Sequence, residues 1–132
     1  MIVNLTQHQA TPEQVSQGVV DLPDEVRQAL VADLTFDDLP TLAEIEDAAD
    51  VVAELACQNG LGGDDGDSPW PEAAMIGGAP FLMAPLETAL KSRGIKPVYA
   101  FSRRESVETT KPDGSVVKTN VFRHVGFVSV DE

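Results

Sequence analysis

The residues able to do chemistry fall in three short stretches: His8 within Thr6-Gln7-His8-Gln9, the pair Gly77-Gly78, and Ser102-Arg103-Arg104. A histidine titrates near neutrality and can give or take a proton, although a lone loop histidine is more often only a polar group. Glycines that open a helix let backbone N–H groups converge on an anion, and the helix dipole adds to the attraction. Any tight strand-to-helix turn also uses glycine, and Gly77-Gly78 fits neither a P-loop nor a GxGxxG pattern. Two arginines directly after a hydroxyl offer planar forks suited to phosphate. The plainer reading pairs one of them with Glu105 or Glu108 and leaves the other in water. Because neighbouring strand residues point to opposite faces, one arginine faces a pocket, and Arg104 is the choice.

These residues need elements to hold them. Ala73–Ile76 reads as a buried strand, Gly77-Gly78 as its turn, the next stretch as a helix closing at Gly94, and Val98–Phe101 as a second buried strand. Strand, helix and strand in that order form a βαβ unit, which implies a parallel sheet with a right-handed crossover. Ligands in open sheets of this kind sit at the carboxyl ends of the strands. This reading puts Gly77-Gly78 and Ser102-Arg103-Arg104 there.

Upstream, Met1–Leu5 reads as a strand, broken in pattern by Asn4, and His8 follows in a loop. Thr11-Pro12-Glu13-Gln14 has the form of a capping box, opening a brief helix that Gly18 ends. Val19–Leu22 is a second strand. Pro23-Asp24-Glu25 starts a helix with Val26, Leu30 and Leu34 on one face. Thr41–Gln58 is the clearest helix, with Leu42, Ile45, Ala49, Val52 and Ala56 at three- and four-residue steps as a packing stripe, stopped by Asn59-Gly60. In the helix after Gly78, Leu82, Leu86, Ala89 and Leu90 form the buried face. Pro85 lies about a turn inside it, where a proline costs roughly 3 kcal/mol, so a kink or a late start is expected. After Arg104 the pattern turns antiparallel: residues 105–110 and 115–122 flank Lys111-Pro112-Asp113-Gly114, whose Asp-Gly signals a hairpin, and Val121–Val130 continues as strand. His124, among apolar strand residues, reads as structural.

Length and composition narrow the rest. The 132 residues make one domain. Residues 61–72 read as an acidic loop in which Asp64, Asp65 and Asp67 lack the closing Glu of a calcium loop, while Trp70 caps the core or covers a pocket. Cys57 is the single cysteine, so no internal disulfide forms, and with two histidines it makes a poor inventory for a metal. No metal and no cofactor are expected. No apolar run approaches the ~18 residues that span a bilayer, and the start lacks the basic and apolar regions of a signal peptide, so the expectation is a cytoplasmic protein without membrane partners. The net charge of −13 argues against binding long nucleic acid. It is also uneven: residues 1–90 carry one basic and 17 acidic residues, whereas residues 91–132 carry eight basic and five acidic. Acids that merely keep helices soluble account for this, as does a local basic pocket for a small anion.

Several of these segments together resemble a known family. His8 with Thr11-Pro12-Glu13-Gln14 is similar to the S-H-x-L-T-P-E-Q start of small CRISPR-associated Rossmann-like accessory proteins, and Gly18–Pro23 to their next segment. Leu82-Met83, Gly94-Ile95-Lys96-Pro97-Val98-Tyr99-Ala100, Arg104, Val107-Glu108, Asp113-Gly114 and Val121–Val125 resemble the Csx-type ring nucleases. Phe101 stands where that pattern has a small hydroxyl residue, and Arg103 where it has an acid. The resemblance implies a single three-layer Rossmann-like α/β domain, mainly parallel in its sheet, with a C-terminal antiparallel β-hairpin over residues 105–130. It also implies metal-independent cleavage of cyclic oligoadenylate, cyclic tetra-adenylate in first place, to products with 2′,3′-cyclic phosphate ends, which switches off type III CRISPR signalling. On that reading His8, Ser102 and Arg104 are catalytic, Gly77, Gly78, Arg103 and Lys111 bind ligand, and a four-fold ring suits a homodimer. Two alternatives stay open: a sponge that binds the cyclic nucleotide without cutting it, and a non-enzymatic phage or bacterial accessory protein that works through protein contacts.

Overall fold

The computed structural model describes residues 2–58 and 72–129. The expectations placed on Asn59-Gly60, the aspartates of the acidic loop, Trp70 and Val130 lie outside them. In chain order the elements are β1 (Ile2–Asn4), α1 (Pro12–Ser16), β2 (Val19–Asp21), α2 (Asp24–Leu34), α3 (Leu42–Gln58), β3 (Ala73–Met75), α4 (Pro80–Ser92), β4 (Lys96–Thr110) and β5 (Val116–Ser129). They build an α/β fold on one five-stranded mixed sheet of order β2-β1-β3-β4-β5. The first four strands in that order pair in parallel, and β4 with β5 antiparallel.

The order of the strands decides where the helices go. The chain steps one way from β1 to β2, then the other way to β3 and β4, and right-handed crossovers in opposite directions fall on opposite faces. On one face Val3, Leu5, Ala74 and Ile76 join Leu30, Val52, Leu82, Leu86 and Leu90 of α2, α3 and α4 in the main core. On the other, Val19, Ala73, Met75 and Val98 form a smaller cluster with Ile2, Ala10 and Phe127. Among the described residues its helical cover is the five-residue α1.

Local signals act largely as their chemistry dictates. Thr11 and Gln14 exchange the two hydrogen bonds of a capping box. Thr41 and Glu44 do the same at the head of α3, at 3.2 Å each way, a box the apolar stripe had overshadowed. Leu42 departs from that stripe and is 69% exposed. Pro85 neither delays nor divides α4, which runs from Pro80. The carbonyl that Pro85 leaves without a donor belongs to Phe81, a half-exposed residue, so water can serve it.

The main departure is β4. The sequence places a strand end at Phe101, but β4 runs on to Thr110 and pairs with β5 through thirteen positions. No glycine or proline interrupts Val98–Thr110, and a polar run that has a partner strand stays extended. One bulge between Phe101 and Ser102 leaves Val125 unpaired opposite them. Only Lys96–Val98 of β4 pairs with β3, so the rest of β4 and β5 projects from the sheet as a two-stranded arm. Its turn closes through Lys111 N–H to the Ser115 carbonyl at 2.8 Å, with Gly114 at φ +88°.

Candidate functional site

The sheet reverses its winding between β1 and β3, the position where open α/β sheets form a crevice at their carboxyl edge. A cleft of about 260 Å³ lies there. Met75 and Ile76 line it from the end of β3, Tyr99 and Ala100 from the middle of β4, Thr6, His8 and Gln9 from the loop after β1, and Thr11 and Gln14 complete it. A second cleft of about 630 Å³ shares Thr11 and Gln14 and continues along the root of the arm, past Ser102, Phe122, Arg123 and His124. The two clefts adjoin at Thr11 and Gln14 as a divided crevice beside α1.

Asn4 holds the loop that carries His8. It is 2% exposed, the one buried polar residue among those described, and every polar atom of its amide is used. Its Nδ2 donates to the His8 carbonyl and to Asp21 Oδ1, both at 2.7 Å. Its Oδ1 accepts from the Thr6 N–H at 2.9 Å and the Thr6 hydroxyl at 2.7 Å. Asp21 in turn accepts from the Ala10 N–H at 3.1 Å, closing the loop against β2. A buried amide is costly unless satisfied, so this network fixes the path of residues 5–10 and presents His8 at the cleft. Sequence reading saw Asn4 only as a break in an apolar strand; its position at the end of a strand, 17 residues before Asp21, was the available signal.

Tyr99 closes the other wall. Its hydroxyl donates to Glu87 Oε2 at 2.6 Å, and burial together with that carboxylate pushes its pKa far above the ordinary tyrosine range. The phenol thus stays protonated and tied to α4. His124 is held between Gln17 Oε1, 2.9 Å from its Nε2, and the edge-on ring of Phe127, with centroids 4.9 Å apart. Its Nδ1 is buried without a partner among the described residues. These contacts make His124 a packing residue at the seam between α1 and β5.

The predicted site residues separate into two groups. His8 lines the first cleft and Ser102 the second. Gly77 backs the first through Thr6: a Cβ there would meet Thr6 Cγ2 at 3.6 Å, an ordinary contact, so alanine fits. Gly78, at φ +143°, needs to be glycine for its backbone alone. Arg103 and Arg104 are exposed within the arm rather than at a strand end. By register Arg104 lies opposite Phe122 on the face of Ser102 and His124, and Arg103 opposite Arg123 on the other face; Phe122 and Arg123 both line the second cleft, so each arginine neighbours it without lining it. Arg104 stands about 14 Å along the strand from Ala100 of the first cleft. Lys111 is at the far turn of the arm, remote from both. Neither Arg103 nor Arg104 pairs with Glu105 or Glu108: Arg123 takes Glu105 at 2.6 Å and Lys118 takes Glu108 at 3.7 Å. Neither Arg103 nor Arg104 has an ion-pair or hydrogen-bond partner among the described residues. Among those residues there is also no cluster of three His, Cys, Asp or Glu able to hold a metal, and no helix long and apolar enough to cross a membrane.

Comparison with known proteins adds one identification. The chain belongs to the family described as Uncharacterized protein MJ1673, whose model matches residues 1–128 and so takes in both the sheet and nearly all of the arm. No curated protein and no solved structure matches it.

Proposed function

We propose that this chain is a cytoplasmic, Rossmann-like ring nuclease that binds cyclic oligoadenylate, cyclic tetra-adenylate in first place, along the crevice from His8 to Ser102. The observation that supports it most is that the two clefts adjoin at Thr11 and Gln14, with His8 in one, Ser102 in the other, and Arg104 across the strand pair from Phe122 of the second. The second cleft lies within the volume range of small-molecule sites and the first just below it, and side by side they offer room for part of a ring rather than one nucleotide. The acidic body repels long polyanions, while an unpaired guanidinium beside the second cleft attracts a compact one.

In the proposed reaction a ribose 2′-hydroxyl attacks the adjacent phosphorus. The new bond closes a 2′,3′-cyclic phosphate, the bond to the 5′-oxygen breaks, and that oxygen leaves as a hydroxyl after taking up a proton. In-line placement of the two oxygens and donors to the phosphoryl oxygens supply most of the acceleration. On this reading His8 takes the 2′-hydroxyl proton at its end of the crevice, while Ser102 and Arg104, at the other end, hold a neighbouring phosphate of the ring and so fix the ring in place. Backbone amides at Gly77-Gly78 support the loop side of the same site. No step needs a metal.

The test is incubation of the full chain with labelled cyclic tetra-adenylate in EDTA, beside Arg104→Ala and His8→Ala. Cleavage that survives chelation and falls at least a hundredfold in both variants is expected. Tight binding without cleavage would make the protein a sponge, and neither binding nor cleavage would leave the protein-contact reading, which the uncovered arm favours.

A further inference from the structure

Beyond the bulge, β4 and β5 pair only with each other, from Ser102 opposite His124 to Thr110 opposite Val116. A lone two-stranded ribbon is marginal in water, and this one also leaves β5 as a long open edge. It is apolar where it should be wet. By register, Phe101, Val107, Val117, Val121 and Val128 share one face with Arg103; Phe101 is 50% exposed and Val128 48%. Phe122 and Arg104 lie on the opposite face; Val107 and Val121, at the inner edge of the stripe, also border the second cleft, so Phe101, Val117 and Val128 are its part away from the crevice.

Charge indicates what covers the apolar face. Residues 101–124 hold five basic side chains and three acidic ones, so two arms repel each other, whereas residues 1–90 have a net charge of −16. With Glu105 and Glu108 occupied, Arg103, in the middle of the stripe, has no ion-pair partner among the described residues. The body carries a matching surface: a groove of about 500 Å³ between α3 and α4, with Leu42, Ala84 and Pro85 as apolar lining and Glu46 and Asp50 as carboxylates. Asp50 already faces Arg93 at 3.7 Å, so Glu46 is the freer acid.

We propose that the arm docks on a second copy of this chain, with its apolar face on the partner's α3–α4 groove and Arg103 against the carboxylate there at Glu46. The exchange is reciprocal, each copy giving one arm and one groove, so the assembly closes at two. The dimensions fit. About ten residues of ribbon extend ~34 Å, enough to cover α3, which is ~25 Å long. A ribbon face roughly 10 Å wide then buries on the order of 1,400 Å² over two arms and two grooves, within the range of a stable interface. Adjacent arginines thus serve different ends: Arg103 the partner, Arg104 the crevice.

The ring-nuclease reading already suits a homodimer; the arm-on-groove interface goes beyond it and does not rest on it, because it is measured without nucleotide. Light scattering on the full chain, across concentration and salt, should give a dimer that weakens as salt rises. Phe101→Glu with Val107→Glu should yield a monomer with an unchanged circular dichroism spectrum. Arg103→Glu and Glu46→Arg should each weaken the dimer at least tenfold, and the two together should restore it. A chain that is monomeric at every concentration overturns the proposal, as does a dimer indifferent to the arm variants. A dimer that the arm variants break but Glu46→Arg leaves untouched overturns the groove as its seat.

Discussion

Leu82, Leu86 and Leu90 in the body are sealed from solvent, while Phe101 and Phe122 in the arm are half or more exposed, although all five are large apolar side chains in regular structure. The difference lies in what each element packs against. Helix α4 buries one face on the sheet and another against α3, and its leucines do the work of folding. The arm has a single partner strand, and its apolar residues contribute little to the stability of one chain. Apolar surface that does not stabilise the fold is available for contact with something else.

The contrast can be broken most forcefully in the body. Leu86→Ala removes a fully buried side chain from the main core and should cost 2–5 kcal/mol, about the range found for such cavities, read as a lower urea midpoint with an unchanged slope. Next comes Asn4→Ala, which leaves the Thr6 N–H, the His8 carbonyl and Asp21 without their shared partner. A loss of about 1–3 kcal/mol is expected. Faster hydrogen exchange confined to residues 5–10 would show that the damage falls on the loop of His8.

Tyr99 sharpens the border between the two regions, since β4 passes from body to arm just beyond it. It is the chain's single tyrosine, so absorbance at alkaline pH reports it alone. Its ionisation should be displaced well above that of the unfolded chain, and Glu87→Gln should bring it back toward normal. The sign follows: the bond to Glu87 contributes fully below about pH 10, where the unfolded tyrosine keeps its proton, and stability falls as pH rises above that. Tyr99→Phe should cost about 1 kcal/mol and abolish that alkaline loss. The smallest effect belongs to the arm: Phe122→Ser should change unfolding by less than about 0.5 kcal/mol, in keeping with its 73% exposure.

The body was legible in the sequence because its signals are local. The capping box at Thr11, the stripe of Leu82, Leu86 and Leu90, and the glycine turn before α4 each specify their element without reference to distant residues. The site was legible only in part. His8 and Ser102 line the crevice, and the face of Arg104 follows from strand alternation. What stayed hidden depends on pairing between distant segments: Ser102-Arg103-Arg104 looks like a strand end until β5 is laid beside it. The partners of Asn4 are settled only when Asp21 arrives from β2.

Hydrogen exchange of the full chain with and without cyclic tetra-adenylate, in EDTA, tests the central claim most directly. The account predicts slowed exchange at residues 5–11, 99–104 and 122–124, the two clefts and the arginine beside them, with the outer arm around Lys111 unchanged. Protection absent from all three segments, or confined to the outer arm, would contradict it.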